Sequence, residues 1–358
     1  MDTSTSESPS GPNLDVTPYP GFLLAAARTE STFDEIPVID ISDAFSTDSE
    51  ARRKLADEIR DACVNVGFFY VKSHGIKEST IEKAIAAAKD FFALPEEVKM
   101  EIDIHKSSNF KGYTPLLGEN TDVTGNGDLH EGFDIGWESG QLNFGRTAAF
   151  GTEIGPMSGK NVWPEGLIGF KDAVLDHSAL ALGRVLFPLF ALALDMPKDW
   201  FDDKTKQSAA IMRLLHYPPQ NPTKVDQGQI GIGEHTDYEC FTLLWQDKAG
   251  GLQVKNASGK WIDAIPIPGT IVVNLGDQFA RWTDDVFKST PHRVINRSGA
   301  ERYSIPVFFG TDYDVLLQPI PTCLSPGRTP QYEVVSAGDY VKSRLEATYA
   351  QSTVSTKS

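Results

Sequence analysis

Gly233-Glu234-His235-Thr236-Asp237-Tyr238-Glu239-Cys240-Phe241-Thr242-Leu243-Leu244-Trp245-Gln246-Asp247, followed at a distance by His292 and then by Arg302-Tyr303-Ser304, is the stretch that decides how the chain folds and what it holds. On a strand, residues two apart share a face. His235 and Asp237 therefore aim to the same side from one short strand or its end. With His292 they supply two imidazoles and one carboxylate, a set that covers one face of an octahedral metal and leaves the other positions open, as in mononuclear non-haem Fe(II) oxygenases. Arg302 and Ser304 alternate in the same way. A buried guanidinium is costly unless paired, and no acid neighbours Arg302 on its strand. A bound carboxylate would pair it bidentately, with the Ser304 hydroxyl adding a third bond.

Outward from that stretch, short apolar segments separated by Gly and Pro continue on both sides: Ile211–Tyr217, Phe241–Gln246, Leu252–Val254, Thr270–Asn274 and Tyr303–Phe309. Strands at this spacing predict a β-sandwich or barrel over 208–320. Before it, residues 166–198 predict a backing helix, with Phe170, Val174, Leu182, Val185, Leu189 and Leu192 at helical spacing and Met196-Pro197 as its stop. The half from 34 to 165 opens with a strand at Ile36–Ile41, then a helix carrying Leu55, Ile59, Ala62 and Val66 on one face, a strand at Phe68–Val71, and a helix over Ser79–Phe92. Residues 101–165 are rich in glycine loops, and long loops are more often functional than decorative. Part of a substrate pocket is expected there. Phe110, Tyr113, Phe279, Arg281 and Phe309 are the candidate wall residues. Residues 1–33, rich in Ser, Thr, Pro and Gly, form a terminal segment outside the domain of 34–335. Residues 336–358 add a helix with Val341, Leu345 and Tyr349 on one side, lying either over the barrel mouth or on its outside.

Net charge is −16 and the isoelectric point about 4.9. That balance argues against nucleic acid and anionic membrane as partners, which want clustered Lys and Arg. Three cysteines, Cys63, Cys240 and Cys323, have no ligand-like spacing and suit a reducing compartment without disulfides. The short apolar patch Phe22–Ala27 lacks the basic flank of a secretory signal, and the final Thr-Lys-Ser is not a peroxisomal address. The expectation is a cytosolic monomer acting on a small molecule.

The segment Gly233–Asp247, Gly250-Gly251-Leu252-Gln253-Val254, Val273-Asn274-Leu275-Gly276-Asp277, Trp282–Val294 and Arg302-Tyr303-Ser304-Ile305-Pro306 together resemble the isopenicillin N synthase-like Fe(II)/2-oxoglutarate dioxygenases. Ile36–Ile41, Gly67–Ile76 and His130–Gly136 extend the resemblance over roughly residues 35–320. It implies an α+β, mainly β fold, with a double-stranded β-helix (jelly-roll) core wrapped by helices. It implies Fe(II) on His235, Asp237 and His292, 2-oxoglutarate as cosubstrate with its far carboxylate on Arg302 and Ser304, Tyr217 hydrogen-bonding the cosubstrate, and O2 as oxidant. Leu215 stands where many plant relatives carry an amide. The implied activity is oxidation of a C–H bond by hydroxylation, desaturation or cyclisation of a specialised metabolite or amino-acid-derived compound, with release of succinate and CO2. Asp277 is expected to support a turn, and His216 to point away from the pocket. Three alternatives are kept: an oxidase like isopenicillin N synthase that ignores 2-oxoglutarate, a non-catalytic jelly-roll binding protein, and a zinc hydrolase on the same ligands.

Overall fold

In chain order the first half contains β1 (Val38–Asp40), α1 (Ser49–Asn65), β2 (Phe68–Lys72), α2 (Glu78–Phe92), α3 (Glu96–Lys99), β3 (Gly112–Thr114), β4 (Glu131–Gly136), α4 (Phe170–Val174) and α5 (Ser178–Ala193). The second half contains β5 (Ala210–Tyr217), β6 (Ile232–His235), β7 (Phe241–Gln246), β8 (Leu252–Lys255), β9 (Trp261–Asp263), β10 (Ile271–Leu275), α6 (Asp277–Trp282), β11 (His292–Val294), β12 (Arg302–Phe309) and α7 (Ala337–Ser355). The computed structural model describes residues 32–121, 127–136, 157–175, 178–208, 210–220, 230–324 and 327–355, with side chains of the last helix to residue 348. Residues 1–31 with the Phe22–Ala27 patch, His177 and the Tyr349 side chain lie outside the described residues.

Among the described residues the strands form two sheets. The larger runs β1-β2-β10-β7-β12-β5-β4-β3 and the smaller β6-β11-β8-β9. They face each other as the jelly roll that the sequence led us to expect. Strand alternation sorts side chains into two cores. Phe68, Tyr70, Leu215, Tyr217, Leu244, Leu252, Val254, Val272 and Val294 fill the space between the sheets. Residues one position along, such as Phe69, Leu214, Leu243, Val273 and Phe309, face outward into a second core built with the helices.

The outer core explains why α1 and α5 lie where they do. Asp48 caps α1 by accepting the Glu50 N–H at 2.8 Å, and Leu55, Ala56, Ile59, Ala62 and Cys63 form its buried side. Its last carbonyls, which no helical N–H can reach, accept from the segment that leads to His292: Cys63 O from Lys288 N at 3.1 Å, and Val66 O from Thr290 Oγ1 at 2.7 Å. Gly67 permits that approach. Its φ is +74°, and a Cβ there would meet Thr290 Oγ1 at 2.4 Å. At Gly183 of α5 a Cβ would meet Phe309 Cε1 at 2.3 Å, so helix and sheet touch through the Phe309 ring.

Two expectations change in detail. The single helix of 166–198 is α4 and α5, with residues 176 and 177 outside the described set. By length and composition the stretch Phe170–Ala193 would suffice to cross a membrane, yet half of its 18-residue apolar window is buried within this fold. The loop-rich segment 101–165 contains β3 and β4, which extend the large sheet by antiparallel pairing of β4 with β5 and of β3 with β4.

Candidate active site

His235 and His292 are direct cross-strand partners on β6 and β11, so their rings lie side by side with centroids 4.2 Å apart. Asp237 sits just past the end of β6. Its backbone carbonyl accepts from Asp277 N at 2.8 Å. A Cβ at Gly276 would meet that carbonyl oxygen at 2.9 Å and Glu239 O at 2.3 Å, so the turn closes only on glycine.

The three side chains point their donor atoms at one place. His235 Nδ1 donates to Gly233 O at 2.9 Å and His292 Nδ1 to Thr290 O at 3.2 Å. Each bond fixes the tautomer and leaves Nε2 with its lone pair outward. Those Nε2 atoms lie 3.8 and 3.6 Å from Asp237 Oδ1. Asp237 Oδ2 is engaged by Asn274 Nδ2 at 2.6 Å and by the Thr242 hydroxyl. Burial alone would raise the Asp237 pKa, but His292, His235 and those two donors hold it below the usual range. Burial and then the His235 charge push His292 down to about 4, so its imidazole is neutral at neutral pH. A neutral imidazole at His292 and an ionised carboxylate at Asp237 are forms that bind a divalent metal. Among the described residues this is the group of His, Cys, Asp and Glu able to hold one, with donor atoms within 4.8 Å of each other. The donor set fits ferrous iron.

Beside it, Arg302 on β12 pairs across the ladder with Tyr217 on β5. The guanidinium is fully buried and lies 4.5 Å over the Tyr217 ring. Its Nη1 donates to Ser304 Oγ at 3.0 Å, its Nη2 to Gln246 Oε1 at 3.4 Å, and its Nε to Gly250 O. Among the described residues no carboxylate pairs with it. Burial pushes the Tyr217 phenol up, against the pull of Arg302 and Ser304 beside it. His235, Asp237, His292, Tyr217, Arg302 and Ser304 line one cleft of about 1140 Å³ including its open mouth.

The expected substrate wall is largely corrected. Tyr113 is buried on the outer face, its ring edge-on to Phe91 and its hydroxyl donating to Glu131 at 2.6 Å. Phe279 packs among Phe187, Phe190, Phe201 and Phe241. Phe309 stacks on Phe241 with centroids 5.0 Å apart. These three belong to the helix-side core. Arg281 lies between the rings of Tyr332 and Tyr340 and donates to Glu333 O, at a different surface recess. Phe110 packs with Met157, Ile211 and Val341 beside the cleft. Asp277 accepts from Ser289 and Tyr340, supporting its turn, and His216 bonds Glu131 on the outer face.

Several wall residues went unread in the sequence. Ile211 and Arg213 continue the alternation backward from Leu215 and Tyr217, as Pro306 and Phe308 continue it forward from Ser304. Val341, Leu345 and Thr348 bring α7 over the cleft, and Tyr238 Oη lies 2.7 Å from Thr348 Oγ1. Glu119 clamps Arg213 with both oxygens at 2.9 and 2.7 Å, while Asp134 accepts from Arg213 Nε at 2.8 Å. Behind them His130 bridges Glu119 Oε2 and Gly231 O. Glu239 also lines the cleft, and burial together with the Asp237 carboxylate pushes it up to about 8.

Two family descriptions match the chain: the N-terminal region of non-haem dioxygenases in morphine synthesis over residues 36–166, and the 2OG-Fe(II) oxygenase superfamily over residues 208–311. The 2-oxoglutarate-Fe(II) type oxidoreductase hxnY of Emericella nidulans is 37% identical over 330 residues, covering 88% of this chain and 90% of its own. Homoarginine-6-hydroxylase 2-ODD-233 of Oryza sativa is 34% identical, with 88% and 98% covered. The crystal structure of a full-length Neurospora crassa protein in complex with alpha-KG superposes with a TM-score of 0.73 at 32% identity, covering 87% of this chain and 95% of that one.

Proposed function

The chain belongs to the 2-oxoglutarate–Fe(II) oxygenase superfamily, and from that premise we propose which of its residues run the reaction and how. The protein is a 2-oxoglutarate-dependent non-haem iron dioxygenase that oxidises a small molecule, using Fe(II), 2-oxoglutarate and O2. The oxidase alternative that ignores 2-oxoglutarate is not favoured.

His235 Nε2, His292 Nε2 and Asp237 Oδ1 would hold the iron, which when bound supplies the oxidising chemistry by coupling O2 and 2-oxoglutarate oxidation to attack on a C–H bond. The chain supplies orientation. Gly233 O and Thr290 O keep both imidazoles turned with Nε2 toward Asp237. Arg302 and Ser304 would grip the far carboxylate of 2-oxoglutarate, with Tyr217 beside it and Leu215 giving an apolar contact in place of an amide. The apolar groups Ile211, Phe308, Val341 and Leu345 would exclude water around the substrate. Hydroxylation of an amino-acid-derived compound or specialised metabolite is the outcome we favour, supported by the relative named as a hydroxylase. One copy supplies every group named, so the working unit proposed is the monomer.

The observation that carries this reading is Arg302, fully buried with no carboxylate among the described residues to pair it. Arg302→Gln should weaken 2-oxoglutarate by about 2–5 kcal/mol, read from the visible band of the anaerobic Fe(II)–2-oxoglutarate complex, with iron binding retained. An unchanged 2-oxoglutarate affinity would remove Arg302 from the role.

A further inference from the structure

The groups proposed for iron and 2-oxoglutarate leave part of the cleft wall unexplained. Glu239 is 5% exposed and lines the cleft, yet neither of its carboxyl oxygens has a hydrogen-bond partner among the described residues. Asp134, 3% exposed, gives one oxygen to Arg213 and leaves Oδ2 without a partner among them. Buried polar atoms in folded proteins are paired as a rule, and a dry carboxyl with no donor is unfavourable. Such groups persist where a ligand brings the missing donor.

The nearby cations are directed elsewhere. Arg213 is clamped by Glu119 and Asp134, and Arg302 points to Gly250 O, Ser304 and Gln246. What the Glu239 oxygens and Asp134 Oδ2 lack is a hydrogen-bond partner, and an acidic substrate group would meet carboxyls there. Ile211, Leu215, Phe308, Val341 and Leu345 give the wall its apolar part, beside the hydroxyls of Thr121, Thr236, Tyr238 and Thr348.

We propose that Glu239, assisted by Asp134, is the specificity-determining group of the cleft. It selects a small, mainly apolar substrate that presents a nitrogen-borne hydrogen, an N–H of a ring amide or of a guanidinium or ammonium group, and accepts a hydrogen bond from it. The inference deepens the reading of this cleft as the oxygenase site and rests on it.

The test is equilibrium binding to the anaerobic Fe(II)–2-oxoglutarate form of the full chain, read by thermal shift and by perturbation of the visible band. Two pairs of probes are used: 2-piperidone against N-methyl-2-piperidone, and n-butylguanidinium against pentanoate. At least one donor probe should bind about tenfold or more tightly than its partner, and the preference should vanish in Glu239→Leu. That variant removes an unpartnered buried acid, so it should melt no lower than the parent. Should it fail to fold, Glu239→Gln, which keeps the shape and one acceptor oxygen, should retain only part of the preference. Equal affinities within each pair, no binding of either donor, or a preference that survives loss of the carboxyl overturns the proposal. The band recorded before any probe is added keeps the two readings apart. Its failure to form sinks the oxygenase site itself, whereas a normal band without donor preference sinks this inference alone.

Discussion

The two oxygens of Asp237 have separate tasks. Oδ1 faces the Nε2 atoms of both histidines, and Oδ2 is held by Asn274 and Thr242. Such supporting bonds orient a metal ligand and typically matter 10–100-fold in affinity. Thr242→Val keeps the shape and removes the hydroxyl. It should weaken Fe(II) by about tenfold with the melting temperature nearly unchanged, measured by metal titration under anaerobic conditions. Unaltered iron affinity would reduce Thr242 to packing. Parity along a strand is legible in the sequence at this scale. Counting by twos from Arg302 reaches Ser304, Pro306 and Phe308, all of which line the cleft. Phe309 lies on a strand expected to border the iron, but its odd position sends it to Phe241 and Gly183 instead. The same holds for Phe279, whose short helix α6 turns it toward α5.

At the scale of elements, α7 is what closes the site. Val341, Leu345 and Thr348 line the cleft, and Thr348 meets Tyr238, the residue after Asp237. The amphipathic spacing of 336–349 predicted a helix but left its resting place open, because a helix carries its apolar stripe without naming its partner. Burying a Val or Leu side chain contributes roughly 1.5–3 kcal/mol. Ending the chain after Tyr340 should therefore raise KM for the substrate roughly tenfold or more, with 2-oxoglutarate affinity held by the sheets and little changed. Steady-state kinetics on the shortened chain decides this. Equal substrate KM would mean that the helix rests there without bounding the substrate. In contrast, α1 acts from the far side: its terminal carbonyls hold Lys288 and Thr290, and through them the approach to His292.

Across the whole molecule, segments far apart in sequence meet at His130. It bridges Glu119 and Gly231 O, and Glu119 in turn holds Arg213. Burial alone would lower the His130 pKa, but the Glu119 hydrogen bond and charge, with Asp128 behind, raise it above the usual 6.5. A raised histidine stabilises the fold fully below its unfolded value and loses that contribution as pH rises through the folded one. The stability difference between the parent and His130→Gln should thus be largest below pH 6.5 and shrink as pH climbs beyond it. Thermal melts from about pH 6 to about pH 9 measure this. A gap that widens with pH would show that His130 is held neutral.

Alternation and spacing alone, with no partner strand in view, could place His235 beside Asp237 and Arg302 beside Ser304, because same-strand geometry is a local property of the backbone. The family motifs then tied those pairs to a jelly roll, iron and 2-oxoglutarate. The substrate wall was not local. Asp134 faces the cleft because β4 pairs with β5, Glu239 because a glycine turn folds back under Asp237, and α7 because its apolar side finds the mouth. Those contacts join residues separated by tens to hundreds of positions, and only the packed sheets decide which of their faces meet. The oxidising site was therefore written in the order of residues, and the surface that chooses the substrate was decided by how the strands and the last helix came together.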